Sequence, residues 1–191
     1  NLSDALVEDN SMYVGNDPST STSTAEYNLA VGTTALDAVT TGDNNTAVGY
    51  QSLSANTTGT RNIAIGSGAL DAPDAENDNL AIGIDALGGA IAGGEFNVAI
   101  GNYSLDANTE GDHNTALGYD AGDVITTGSQ NVIIGSVSDP SANSATNQIV
   151  IGYGVTGTGN NEIALGNTSI SAIKAQVTSI TGYSDIRIKK D

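Results

Sequence analysis

Short apolar runs that end in glycine recur along the chain. They read NLAVG (Asn28 to Gly32), NTAVG (Asn45 to Gly49), NIAIG (Asn62 to Gly66) and NLAIG (Asn79 to Gly83), and continue to Gly101, Gly118 and Gly135. Weaker copies end at Gly15, Gly152 and Gly166, and the steps between the ten glycines are 17, 17, 17, 17, 18, 17, 17, 17 and 14 residues. A near-constant period of this kind is the signature of a repeat architecture. Each run is three to four residues long, which suits one short strand per repeat. The 3.6-residue periodicity of a helix is absent.

Alternation within the run separates two faces. The residue directly before Gly is always apolar, and the residue three before it usually is, as at Leu29, Ile63, Leu80 and Val98. Between them stands Ala in most copies: Ala30, Ala47, Ala64, Ala81, Ala99 and Ala116. The larger side chains are expected to face the core. The Ala column then becomes a surface that something approaches closely, and its six members are the candidate seam between chains. Four residues past Gly a Leu recurs (Leu36, Leu53, Leu70, Leu87, Leu105) as a second inward layer. Gly42, Gly59, Gly93, Gly111 and Gly128, ten past the first glycine, mark the return turn. The Asn that opens each run is placed to form a ladder along the axis.

These elements predict an all-β fold, a parallel β-solenoid of about ten 17-residue coils, roughly 48 Å long at the usual strand spacing. One such coil encloses about three large apolar side chains, a small core, so further burial by self-association is expected.

Composition sharpens this picture. The chain of 191 residues has 24 Gly, no Cys, no Trp and one Phe, which excludes disulfide frameworks and Cys-based zinc sites. The net charge is −17, made of −19 over residues 1–173 and +2 over the last 18. A rod this acidic is not expected to bind nucleic acid or to insert in a membrane. The change of sign divides the chain into a lead-in (1–10), the repeat region (11–173) and a short basic segment (174–191).

The NxA[VI]G repeat over roughly residues 11 to 170 resembles the head repeats of trimeric autotransporter adhesins. That resemblance implies a left-handed β-roll, a homotrimeric rod, and binding to cell surfaces or matrix. NTAVGYQSL (Asn45 to Leu53) is similar to segments of bacteriophage tail fibres. SDIRIKKD (Ser184 to Asp191) is similar to the start of the intramolecular chaperone domain of phage tail fibres and tailspikes. In that family the chaperone drives trimerisation and then cuts itself off between Ser and Asp. The resemblance therefore implies a scissile bond at Ser184–Asp185 and a Ser184/Lys189 dyad, with Arg187 and Lys190 lowering the lysine pKa. The chaperone body does not follow in this chain, so the motif is incomplete and no cleavage is expected.

Other candidate chemistry is sparse. His113 is a lone turn histidine with no triad around it. Asp43, Asp78 and Asp112 lie in oxygen-rich turns, but their spacing matches no calcium loop, so turn chemistry is the expectation and no cofactor is assigned. Tyr50, Tyr103 and Tyr119 offer faces for sugars, although packing between coils or chains is the favoured reading. The combined expectation is a non-catalytic, homotrimeric phage tail-fibre segment on the virion. It would bind or space a host receptor, with polysaccharide as one receptor class. The alternative is an adhesin head on a bacterial surface.

Overall fold

The computed structural model describes residues 5–8, 10–15, 24–72, 75–89 and 93–172. Eleven strands follow one another in space in chain order. β1 (Ala5–Glu8) and β2 (Ser11–Val14) form an antiparallel hairpin. From β2 onward every pairing is parallel, through β3 (Leu29–Val31), β4 (Thr46–Val48), β5 (Ile63–Ile65) and β6 (Leu80–Ile82). The stack continues through β7 (Val98–Ile100), β8 (Thr115–Leu117), β9 (Val132–Ile134), β10 (Ile149–Ile151) and β11 (Ile163–Leu165). The result is an all-β parallel solenoid with no helix among the described residues. It makes about eight turns rather than ten.

Register is strict. Ala30 pairs with Ala47, Ala47 with Ala64, and Ala81 with Ala99. The last of these pairs spans the 18-residue coil, whose extra residue is absorbed on the far side. Asn79 there reaches the carbonyl of Gly94, 15 residues on, where other coils use a step of 14.

The core corrects one expectation. Ala30, Ala47, Ala64, Ala81, Ala99 and Ala116 are all fully buried inside their own chain, together with the Leu column. They are therefore not a seam between chains. The physical reason is the thinness of the coil, because in the coils from Gly32 to Gly101 a Leu four past the glycine fills the space that the strand centre faces. One site shows the two columns sharing volume. Gly122 takes the place of the Leu, and Ile133, at the strand centre of the next coil, takes the place of the Ala. A Cβ on Gly122 would lie 3.1 Å from Leu105, 3.3 Å from Ile125 and 3.6 Å from Ile133. Tyr13 plugs the strand centre of the first coil.

Three corners of most coils lie in the left-handed backbone region. Gln51, Leu53 and Asn44 represent them at φ 58°, 51° and 60°. Such conformations cost L-residues roughly 1–2 kcal/mol each. Each corner also keeps its N–H in the inter-coil ladder, for example Gln51 to the Thr33 carbonyl at 3.1 Å and Asn44 to that of Glu26 at 3.0 Å. The repeat glycines have no substitute of this kind. Gly66 sits at φ 141°, and a Cβ there would run into the carbonyl of Gly83 in the next coil. Close stacking of coils requires Gly at this column.

Candidate functional site: an exposed apolar face of the sheet

With Ala turned inward, the residues on either side of it turn outward. Two columns of side chains run along the parallel sheet, one before the central residue of each strand and one after it. Over β3 to β11 they comprise 18 positions, of which 16 are Val, Ile or Leu and two are Thr (Thr46 and Thr115). None of the 18 is charged and none is buried in the single chain. Ile63 and Ile65 are each 40% exposed, and Leu117 is 46% exposed. Nine strands at ~4.8 Å give a stripe about 40 Å long and about 10 Å wide, on the order of 400 Å² in projection. The largest apolar patch on a monomeric protein is often of about this size, roughly 300–600 Å², and is often functional.

A ladder of buried Asn side chains ties the coils together beside this face. Asn28, Asn45, Asn62, Asn79, Asn97, Asn114 and Asn131 are all buried. Within the series each Oδ1 accepts the backbone N–H of the next coil, as Asn28 does from Asn45 at 2.8 Å. Each Nδ2 donates to a turn carbonyl, as Asn45 does to Gly59 at 2.8 Å. The expected ladder is thus present, but its rungs run mainly from side chain to backbone. Asn131 and Asn114 add a side chain–side chain bond at 3.0 Å. The series ends at Gln148, whose Oε1 instead accepts the N–H of Ser141 at 3.0 Å.

The remaining candidates fall elsewhere. Ser184, Asp185 and Lys189 lie outside the described residues, as does the whole basic segment 174–191. His113 stacks on Phe96 with ring centroids 4.9 Å apart and planes 8° apart, both at the same corner of successive coils. Asp43 and Asp112 accept backbone N–H groups of the preceding coil, from Glu26 at 2.7 Å and Glu95 at 2.8 Å. Asp78 forms a two-pronged pair with Arg61 at 2.6 and 2.7 Å. Tyr103 and Tyr119 of successive coils meet edge to face at 5.9 Å, and Tyr50 and Tyr119 are both exposed.

A line of carboxylates along another edge escaped the sequence reading. It takes in Asp71, Asp85, Asp106, Asp120, Asp123 and Asp139, which fall two, four or five residues past a repeat glycine. Burial, and then the neighbouring Asp85, push the Asp71 carboxyl up. Burial followed by Asp123 and Asp120 does the same to Asp106. Asp139 is the extreme case: burial, then the protonated carboxyl's hydrogen bond to Asp123 and the charge of Asp123, raise it to about 7. Among the described residues no group of three His, Asp or Glu side chains is disposed to hold a metal ion.

No family model, no curated protein and no solved structure matches this chain.

Proposed function

We propose that the chain is the rod-like segment of a homotrimeric surface fibre, acting by binding or spacing a host receptor, and that it belongs to a phage tail fibre. One observation carries this reading: an uncharged, largely apolar stripe on an otherwise strongly acidic rod. Copies with a net charge of −17 repel one another over most of their surface. The uncharged stripe is where they approach at least electrostatic cost. Its strand spacing is also matched along the full length only by an object of the same period, and another copy of this chain is such an object. Parallel copies around a common axis keep every strand level with its counterpart, a closed arrangement. The number three and the phage setting rest on the repeat motif and on SDIRIKKD (Ser184 to Asp191).

Sedimentation equilibrium on the purified chain tests the assembly. A mass three times 19.1 kDa is the expected result, and a monomer across the micromolar range would refute the reading. Attachment is tested separately, by whether the labelled rod binds bacterial cells and competes with a whole phage for them. The adhesin-head alternative predicts instead binding to animal cells or matrix proteins.

A further inference from the structure

We propose that the edge column running through Tyr119, Ser136 and Tyr153 binds a neutral, β-1,4-linked polysaccharide laid along the rod. This names the receptor class for the attachment put forward above and rests on that reading.

The residue directly after each repeat glycine stands on the border of the apolar stripe. Along this column large and small side chains alternate. Tyr50, Ile84, Tyr119 and Tyr153 occupy every second coil, and Ser67, Asn102 and Ser136 occupy the coils between. The large members are exposed, Tyr119 to 52% and Tyr153 to 71%. Two strand spacings, ~10 Å, separate the places of Tyr119 and Tyr153. Tyr103 braces the Tyr119 ring edge to face. The column itself carries no charge, while Asp85 and Asp120 stand one residue further along the chain.

The backbone adds donors to these faces. The carbonyls of Gly49, Gly101 and Gly152 accept bonds from the hydroxyls of Ser52 at 3.0 Å, Ser104 at 2.7 Å and Ser138 at 2.6 Å. All three serines are buried. In a trans peptide the N–H opposes the carbonyl, so the N–H of the residue after such a glycine points away from the interior. Among the described residues the N–H groups of Tyr119, Ser136 and Tyr153 have no acceptor. Ile84 shows what a donor in this column takes: its N–H is bonded by the side-chain amide oxygen of Asn102 at 3.0 Å. The acetamido group of an N-acetylated sugar presents the same kind of oxygen.

These features fit one kind of polymer. In an extended β-1,4-linked chain each pyranose is comparable in length to one strand spacing. Each sugar is also turned over relative to its neighbour, so every second one shows the same face. Rings on alternate coils meet that repeat. One sugar stacks on Tyr119, the next lies over the small Ser136, and the third stacks on Tyr153. The net charge of −17 selects against acidic glycans.

Titration calorimetry with chito-oligosaccharides of increasing length tests the site. Affinity is expected to rise from the single sugar to the trisaccharide, which spans Tyr119 to Tyr153. Oligomannuronate, a β-1,4-linked chain of acidic sugars, should not bind. Tyr119→Ala and Tyr153→Ala should each weaken trisaccharide binding roughly 2- to 10-fold, the worth of one stacked ring. Tyr153→Phe should retain it, as should Tyr27→Ala, a change to an exposed ring on the opposite border of the stripe. Sedimentation of the same samples keeps two failures apart. A monomeric chain that binds the trisaccharide through both rings supports the site and refutes the fibre reading alone. An assembled chain that does not bind, or that binds without regard to length or to either ring, refutes the site. Loss of the assembled mass in Tyr153→Ala would make the column a contact between copies and would also overturn the proposal.

Discussion

Asn62 donates its backbone N–H to Oδ1 of Asn45 at 2.9 Å, so one side chain closes the hydrogen bonding of a neighbouring coil. Asn62 repeats the arrangement toward Asn79, and its Nδ2 gives a bond of 2.7 Å to the Glu76 carbonyl. Replacing Asn62 by Ala strands a buried N–H and a buried carbonyl at once. The expected loss is about 2–4 kcal/mol of unfolding free energy, measured by urea titration. Asn62→Asp should cost more than Asn62→Ala, because its carboxylate presents an acceptor to the Glu76 carbonyl and carries a buried charge.

Inner and outer positions of one strand should respond differently to substitution. Ile65→Asp on the exposed face is expected to leave the single chain folded and to abolish its self-association. Ala64→Leu, one residue away in the core, should destabilise the fold itself, by about 1–3 kcal/mol or more from overpacking. Sedimentation paired with circular dichroism separates the two outcomes.

Gly122 and Ile133 should be energetically coupled. Ile133→Ala alone opens a cavity and is expected to cost about 2–5 kcal/mol. Gly122→Leu alone overfills the same space. The double variant restores the Leu/Ala pairing of the other coils, and Leu105 already occupies the equivalent corner at φ 52°. It should be more stable than the sum of the single changes predicts, which a double-mutant cycle would read directly.

Acidification should stabilise the rod. Asp139 is raised in the fold, to about 7 from an ordinary value of 3.8, so over that interval the folded chain binds more protons than the unfolded one. Stability therefore falls as pH rises from 4 toward 7 and levels off above it. Asp71 and Asp106, also raised, add in the same direction. Thermal midpoints recorded between about pH 8 and pH 5 should climb, and Asp139→Asn should flatten much of the climb.

The period, the strand at each repeat, the inward Leu column and the Asn ladder were all legible in the chain before any coordinates. The orientation of the strand was not. Alternation separates two faces but does not say which is inside, and the larger side chains are the usual choice for the core. A finer signal was available: the central column holds only Tyr13, Ala, Ile133 and Val150, while the column before it admits Thr46 and Thr115. Thr never stands in the central column of the described coils, and that column is the buried one. The carboxylate edge stayed hidden for another reason. Asp123 and Asp139 occupy different places in their repeats, five and four past a glycine, and only the stacking of coils brings them together.

Equivalent residues pair with equivalent residues from β3 to β10, and this makes length a discrete quantity. Removing or adding one whole repeat shifts the rod's reach by a single strand spacing, ~4.8 Å, and leaves every other coil on its former kind of neighbour. A partial insertion is tolerated only on the far side, as the 18-residue coil shows, because the sheet side permits no slip. The protein is in this sense a graduated ruler, whose reach is set by how many times the motif is written.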